Sequence, residues 1–129
     1  MYKEDIEIAK KARLNAHAPY SNYLVGTALR TKSGKIYSGC NVENHGIQGI
    51  CGERTAFVKA ISEGEREFES ITIVGGAKEK VTLDMAMPCG YCRQFMSEFV
   101  DNNFKIIITN GKETEKYGIN DLLPHGFKL

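Results

Sequence analysis

Two short, continuously apolar segments with a predicted helix between them constrain the fold most strongly. The first spans Ser70–Val74 and is rich in β-branched residues, and the second spans Phe104–Thr109. Each ends at a pair of turn-forming residues, Gly75-Gly76 and Asn110-Gly111 respectively. Continuously apolar strands are typical of α/β proteins, in which helices cover both faces of the sheet. We therefore expect an α/β fold whose central strands are buried between helical layers.

The rest of the chain supplies the helices and the hairpin that such a fold needs. Apolar residues recur at helical spacing in Lys3–Ala16, and Pro19 is expected to end that helix. Ser33-Gly34 is a turn sequence between two candidate strands, which predicts a hairpin. The expected elements are helices at 3–16, 51–63 and 88–100, strands at 23–31, 35–40, 70–74 and 104–109, loops at 41–50 and 79–87, and a short helix or turn near 119–123.

Length, charge and hydropathy exclude several classes of protein. At 129 residues the chain has the size of one domain, which we place at residues 1–129. With 17 basic and 16 acidic residues its formal charge is +1, so neither a nucleic-acid polymer nor a membrane is an expected partner. No apolar run approaches the roughly 20 residues of a membrane span. The first residues lack the apolar stretch of a signal peptide, so a cytoplasmic location is expected.

Four cysteines are an unusual feature in a chain with no sign of secretion. Under reducing conditions, closely spaced cysteines indicate metal binding or catalysis before they indicate disulfides. Cys89 and Cys92 form a C-x-x-C pair at the start of a predicted helix, which is a metal-binding or redox pattern. Cys40, between Gly39 and Asn41, is expected to be a packed small hydrophobic residue.

Cys51 also begins a predicted helix, so two helix N-termini carry cysteine. Unpaired backbone N–H groups and a partial positive charge at such a terminus favour the thiolate. Three thiolates from Cys51, Cys89 and Cys92 would form a soft ligand set, for which zinc is the expected metal. Three protein ligands leave the fourth tetrahedral position for water, which is typical of a catalytic zinc.

Glu53 is the candidate for proton transfer beside this metal. Two residues of helix place it about 200° around the axis from Cys51, which argues weakly against both side chains serving one site. At a helix start the carboxylate could still reach the open side of the metal and accept a proton from water. C-x-E followed by P-C-x-x-C closely matches the zinc deaminase pattern.

These motifs carry a resemblance to a known family that extends over nearly the whole chain. The sequence resembles the small, three-cysteine type of cytidine deaminase. This resemblance implies a three-layer α/β/α fold with a mixed central sheet of about five strands, and a homotetramer with sites shared between subunits. Phe127 matches an aromatic residue that family members lend to a neighbouring subunit's site. The matching segments are Ala18–Ser21, Val25-Gly26, Gly39–Asn44, Cys51–Ala56, Pro88–Gln94 and Leu122–Pro124.

The resemblance also implies a reaction, the zinc-dependent hydrolytic deamination of cytidine or 2′-deoxycytidine to uridine or 2′-deoxyuridine and ammonia in pyrimidine salvage. Cys51, Cys89 and Cys92 are expected to bind one zinc ion per subunit, and Glu53 is expected to shuttle protons. Three thiolates around a dication leave a net negative charge, which weakens the metal as a Lewis acid. Arg54 is expected to offset that charge by hydrogen bonding to the thiolates.

The expected substrate contacts surround the metal site. Asn41 and Glu43 match the residues that hold the ribose hydroxyls in the family. Tyr23 matches an aromatic residue that stacks near the sugar and base. The backbone groups of Gly52 and Met87 are expected beside the carbonyl and amino edges of the base.

Three departures from the family pattern leave a second substrate class open. Gly52 replaces the usual alanine, and Tyr23 stands where phenylalanine is more usual. The loop Asn44–Cys51 is slightly shorter than expected and lacks its usual tyrosine. Because this loop is expected near the base and the sugar, the alternative substrate is a cytidine modified on its amino group or a blasticidin-like aminonucleoside.

Two alternatives from other protein classes also remain at this point. In a structural zinc module, Cys40 would supply a fourth thiolate and no position would remain for water. In a thioredoxin-like redox protein, Cys89 and Cys92 would form a reversible disulfide. Replacement of Cys40 by serine separates the first alternative from a catalytic site, because only the structural site should lose its metal.

Overall fold

A five-stranded mixed β-sheet forms the middle layer of the fold in the computed structural model, which describes residues 2–128. Its strands are β1 (Tyr23–Thr31), β2 (Ile36–Cys40), β3 (Phe68–Ala77), β4 (Lys105–Thr109) and β5 (Thr114–Tyr117). The helices are α1 (Lys3–Arg13), α2 (Gly52–Ser62), α3 (Gly90–Ser97) and the short α4 (Ile119–Leu122).

The order of strands across the sheet is β2-β1-β3-β4-β5. β3 and β4 are parallel and joined through α3, while the other neighbouring pairs are antiparallel. The parallel pair contains the two apolar segments on which the sequence prediction rests, and a parallel connection requires a crossover such as a helix. The hairpin predicted around Ser33-Gly34 is present as β1 and β2.

Helices cover the sheet on both faces. Two neighbouring residues of β1 point to opposite faces of the sheet. Ala28 belongs to a buried cluster with Ala9 of α1. Leu29 belongs to a second buried cluster, which contains Phe57 of α2. Phe57 is fully buried and surrounded by phenylalanine rings whose centroids lie 5.0 to 6.3 Å away. The expected three-layer α/β/α fold with a mixed sheet of about five strands is confirmed.

Helix boundaries differ from the sequence prediction at α1 and α3. α1 ends at Arg13 rather than near Ala16, because the next three N–H groups each bond to the carbonyl three residues earlier and tighten the chain into a turn. Pro19 therefore lies beyond the end of the helix. α3 covers only the middle of the predicted range 88–100. None of the helices formed by residues 2–128 has the length and apolar character needed to cross a membrane.

Two strand predictions need correction. Gly75-Gly76 was expected to form a turn, but both residues lie inside β3 and pair with Val25 and Leu24. A Cβ atom on Gly75 would lie 2.7 Å from that of Ala86, so glycine serves close packing there. β5 was not predicted, because its four residues are polar, mostly exposed, and form an edge strand with little hydrophobic pattern.

Candidate active site

Cys51 and Cys89 are the N-cap residues of α2 and α3. Both have extended backbone conformations, with φ/ψ of −79°/155° and −70°/168°. Their carbonyl groups accept the first helical hydrogen bonds, from the N–H groups of Thr55 and Arg93, at 3.0 Å in each case. Neither thiol caps its own helix, so both sulfur atoms are available to another partner.

Cys92, in the first turn of α3, completes a cluster of three thiols. All three Sγ atoms lie within 4.8 Å of one another, and those of Cys51 and Cys89 are 3.6 Å apart. A tetrahedral zinc ion with Zn–S bonds of about 2.3 Å holds its sulfur ligands roughly 3.8 Å apart. The three residues therefore fit zinc. Across residues 2–128 no fourth protein ligand joins them, and Cys40 lies outside the cluster.

The start of α2 lies directly against the sheet, which fixes the position of Cys51. A Cβ atom on Gly39 of β2 would lie 2.5 Å from the carbonyl oxygen of Gly52, so only glycine permits this approach. The Thr27 hydroxyl donates to that same carbonyl at 2.9 Å, and the Thr55 hydroxyl donates to the carbonyl of Cys40 at 3.0 Å. Cys40 thus supports the site through its backbone, while burial raises the pKa of its thiol.

Hydrogen bonding inside the cluster separates the acidities of its thiols. A hydrogen bond from Cys92, followed by those from Arg54 and Cys89, lowers the pKa of Cys51 to about 5, although burial opposes the shift. The same hydrogen bond, together with burial, raises the pKa of Cys92 above its ordinary value. These hydrogen bonds therefore favour the thiolate form of Cys51 over that of Cys92.

Arg54 supplies a positive charge to the cluster. Its Nη2 donates to the Sγ of Cys51 at 3.6 Å, and its guanidinium carbon lies 3.9 Å from the centroid of the Tyr91 ring. Its Nε is buried and has no hydrogen-bond partner among the described residues. The side chain is therefore held between a thiolate on one side and an aromatic face on the other.

Glu53 is buried beside the same cluster, with 4% of its surface exposed. Burial raises the pKa of its carboxyl to about 7, and the charge on Cys51 adds to that shift. The predicted separation of 200° between Glu53 and Cys51 does not apply, because Cys51 is an extended N-cap residue and not a helical one. A carboxyl with a pKa near neutrality is suited to both accepting and delivering a proton.

A cavity of about 300 Å³ brings together most of the predicted site residues. Its lining includes Cys51, Gly52, Glu53 and Cys89 from the helix starts, Asn41 and Glu43 from the segment after β2, and Met87 from the segment before α3. Cys92 and Arg54 lie next to this cavity through their contacts with Cys51.

Asn41 and Glu43 already have hydrogen-bond partners within the chain. The Asn41 side chain accepts from the N–H of Val25 at 2.8 Å and donates to the carbonyl of Tyr23 at 2.9 Å. The Glu43 carboxylate accepts from the backbone N–H groups of Tyr20 and Ser21 and from the Ser21 hydroxyl, which lowers the pKa of Glu43. These bonds fix both side chains at the cavity wall and leave acceptor capacity on the carboxylate.

Tyr23 and Phe127 are not among the residues that line this cavity in the single chain. The Tyr23 hydroxyl lies near Gly75, and burial, together with Asp84, raises its pKa. Phe127 is 62% exposed, and its backbone is held by the side-chain amide of Gln94 at 2.8 and 3.1 Å.

Sequence reasoning placed the loop that contains residues 47–50 near the substrate, but it missed two other contributors to the site, Val25 and Tyr91. Val25 and the segment 47–50 line the cavity. The strand pattern of β1 carries no signal for the role of Val25, whereas the polar, glycine-containing loop 41–50 was placed near the substrate only by resemblance. The contact of Tyr91 with Arg54 was also missed, although Tyr91 stands between the two cysteines of the C-x-x-C pair.

The fold and the site together define a zinc-binding α/β protein with a buried carboxyl beside the metal ligands. Residues 2–108 match the family described as the cytidine and deoxycytidylate deaminase zinc-binding region. The chain belongs to this family.

Similar proteins support this assignment over most of the chain. A cytidine deaminase from Sporosarcina psychrophila is 41% identical over 92% of this chain and 85% of its own length. A crystal structure of cytidine deaminase from Burkholderia pseudomallei is 40% identical, with a TM-score of 0.89 and coverage of 98% of this chain and 99% of that one. A blasticidin-S deaminase from Bacillus cereus is 31% identical over 95% of this chain and 91% of its own length.

Proposed function

We propose that this chain is a cytidine deaminase, which hydrolyses cytidine and 2′-deoxycytidine to uridine and 2′-deoxyuridine with release of ammonia. One observation carries the proposal: the buried carboxyl of Glu53 lines the same cavity as the thiols of Cys51 and Cys89. A structural zinc site needs no such acid. A thioredoxin-like site would use Cys89 and Cys92 alone, whereas here the sulfur atom of Cys51 lies within 4.8 Å of both of theirs.

Cys51, Cys89 and Cys92 would hold one zinc ion per subunit next to the cavity. Bound zinc supplies Lewis acidity, which makes water nucleophilic near neutral pH. Arg54 offsets part of the negative charge of the three thiolates through its bond to Cys51. The three thiolates would lower the Lewis acidity of the zinc ion, and Arg54 would restore part of it.

Glu53 is the proton carrier in this scheme. As a carboxylate it accepts a proton from the attacking water and delivers it to the ring nitrogen, and it then accepts the proton of the added hydroxyl group and delivers it to the departing amino group. Addition of water to the ring carbon that bears the amino group, followed by loss of ammonia, converts the cytosine ring to uracil. Burial of Glu53 keeps bulk water away from the carboxyl during these transfers.

Substrate is held by the walls of the cavity. We assign the ribose hydroxyls to Asn41 and Glu43, whose side chains are fixed by bonds to β1 and to Ser21. The backbone groups of Gly52 and Met87 are assigned to the base. A nucleoside without a phosphate suits this cavity, because Glu43 and Glu53 place negative potential there.

Glu53→Gln tests the proposal directly. The amide keeps the size of the side chain but cannot accept and deliver a proton, so the variant should keep its zinc and lose cytidine turnover by a factor of about 10² or more. Glu69→Gln, at an exposed position on β3, is the matched control and should be fully active. Turnover retained by Glu53→Gln at normal zinc content would overturn the assignment.

A second candidate substrate has support from one relative. The similarity to a blasticidin-S deaminase, and the altered loop 44–51 that borders the cavity, favour a test of modified nucleosides. Cytidine, 2′-deoxycytidine, N4-methylcytidine and blasticidin S should be compared by kcat/KM. Cytidine and 2′-deoxycytidine are expected to have the highest kcat/KM values. A clearly higher value for N4-methylcytidine or blasticidin S would reassign the substrate.

The biological setting belongs to the same proposal. We assign residues 1–129 to one catalytic domain that acts in pyrimidine salvage in the cytoplasm and assembles as a homotetramer. Phe127 is exposed and lies outside the cavity of its own chain, as a residue lent to a neighbour must be. Tyr23 is assigned a place near the sugar and base, which its position on β1 next to the Asn41 anchor supports.

A further inference from the structure

A second cavity lies on the opposite face of the sheet from the cysteine cluster. It has a volume of about 720 Å³ and lies between the C-terminal half of α1, the segment 81–83 and the turn between β4 and β5. We call it the basic groove, because its charged lining residues are Lys10, Arg13 and Lys112 and none of its lining residues is acidic. The formal charge of the whole chain is only +1, so it does not indicate that basic residues are concentrated in this groove.

Arg13 is the unusual member of the lining. Only 8% of its surface is exposed, yet no described residue forms a salt bridge with it. By contrast Arg30, which also packs against α1, is paired with both Glu4 and Asp5. Buried charges in proteins are normally paired with an opposite charge.

The guanidinium of Arg13 is only partly satisfied by the chain. Its Nε donates to the carbonyl of Leu24 at 3.2 Å, and its Nη2 donates to the carbonyls of Gly76 and Ala77 at 2.8 and 2.9 Å. Within residues 2–128 its Nη1 has no hydrogen-bond partner. A fixed, buried cation that lines the cavity thus has one donor group without a partner among the described residues.

The surroundings favour an anion of more than one charge. Lys10 and Lys112 line the same cavity, and a neighbouring cavity of about 440 Å³ shares Lys10 and adds Lys3 and Lys116. Only one acidic residue, Glu7, lines this neighbouring cavity, and it lies 3.7 Å from the Lys10 ammonium. Arginine and lysine together are the side chains that recognise phosphate groups.

Apolar side chains also border the basic groove. Leu14 and Val81 are 72% and 98% exposed, although both are large aliphatic residues. They offer a contact surface for an organic group next to the cations.

We propose that the basic groove binds the phosphate groups of a small phosphorylated ligand, such as a nucleoside polyphosphate, at a site separate from the deaminase cavity. Lys10 and Lys112 contact the phosphate oxygens, and the Nη1 of Arg13 donates to one of them. Leu14 and Val81 contact the organic part. The site does not depend on the deamination chemistry proposed above.

Equilibrium dialysis of the zinc-loaded protein against ATP, inorganic tripolyphosphate and adenosine tests the proposal. Saturable binding is expected for ATP and for tripolyphosphate but not for adenosine, and it should weaken as salt is added. Tighter binding of ATP than of tripolyphosphate would confirm the contact with the organic part. Excess cytidine should leave binding unchanged, and the zinc content should be verified after dialysis.

Variants at the rim of the groove locate the site without disturbing the backbone that Arg13 holds. The double variant Lys10→Ala/Lys112→Ala should weaken ATP binding at least tenfold, whereas Glu7→Gln should strengthen it by removing the negative charge that lies 3.7 Å from the Lys10 ammonium. Lys32→Ala/Lys35→Ala, in the exposed turn between β1 and β2, is the matched control with the same loss of charge. Cytidine turnover should be unchanged in all of them.

The proposal is overturned by either of two results. One is the absence of saturable binding of both ATP and tripolyphosphate to the wild-type protein. The other is an equal loss of binding in the Lys10/Lys112 and Lys32/Lys35 double variants, which would indicate attraction by overall charge and not by a site.

Discussion

The guanidinium of Arg54 lies 3.9 Å from the centroid of the Tyr91 ring, within the range of a close cation–π contact. The same guanidinium donates to the Cys51 sulfur. Tyr91 stands between Cys89 and Cys92, so one residue of the C-x-x-C segment positions the cation that neutralises the metal ligands.

Removal of the Tyr91 ring should increase the rate at which the protein releases zinc. In Tyr91→Ala the Arg54 side chain loses its aromatic support, and zinc release to a chromogenic chelator should be faster by roughly two- to thirtyfold, which corresponds to a cation–π contribution of about 0.5–2 kcal/mol. Tyr91→Phe keeps the ring and should behave like the wild type. Equal release rates in all three proteins would show that the contact has no part in metal retention.

The number of zinc ligands can be tested by substitution of single cysteines. Cys40→Ser should keep one zinc ion per chain, because Cys40 contributes only its backbone carbonyl next to the site. Cys92→Ser should lose most of its zinc, since it removes the most buried of the three ligands. Atomic absorption measures the zinc content of both variants, and thermal unfolding verifies that each variant is folded. Zinc loss in Cys40→Ser would restore the structural four-thiolate alternative.

The placement of cysteine at helix starts could be predicted from the sequence, and the geometry at those starts could not. Pro88 before Cys89 and the helical pattern after Cys51 are local signals, and local signals determine where a helix begins. The backbone angles of an N-cap residue are not visible in a helical pattern. For that reason the prediction of a 200° separation between Cys51 and Glu53 was misleading, and only the extended conformation of Cys51 shows how both line one cavity.

The other features that could not be predicted from the sequence depend on contacts between residues far apart in the chain. Gly75 and Gly76 have the local character of a turn, but pairing with β1 and the proximity of Ala86 place them in a strand. Likewise, the buried guanidinium of Arg13 depends on carbonyls 11 to 64 residues away in the chain. Such contacts follow from tertiary packing, which no sequence periodicity encodes.

The hydrogen bond from Ser21 to Glu43 should produce a measurable pH dependence of stability. Because this bond and those from two backbone N–H groups lower the pKa of Glu43 from 4.5, their stabilisation is complete above that value and is lost as the pH falls through the lowered pKa. Ser21→Ala removes the strongest of these bonds. The difference in urea midpoint between wild type and Ser21→Ala should therefore be largest at neutral pH and shrink below about pH 4.5.

A serine whose side chain forms no hydrogen bond with a carboxylate among residues 2–128 provides the control for this measurement. Ser62→Ala, at the exposed end of α2, should give a difference from wild type that does not change with pH. A pH-independent difference for Ser21→Ala as well would mean that Glu43 is not stabilised as a carboxylate by Ser21.

The proposed sharing of sites between subunits can be tested by combining two inactive chains. Phe127→Ala keeps the backbone bonds of residue 127 to Gln94 and so removes only the ring, while Glu53→Gln keeps its own Phe127. If Phe127 serves a neighbouring subunit, co-expressed chains with different tags should form mixed oligomers that regain part of the cytidine turnover. Separately purified variants mixed without subunit exchange are the control and should stay inactive. No recovery in verified mixed oligomers would place Phe127 outside its neighbour's site.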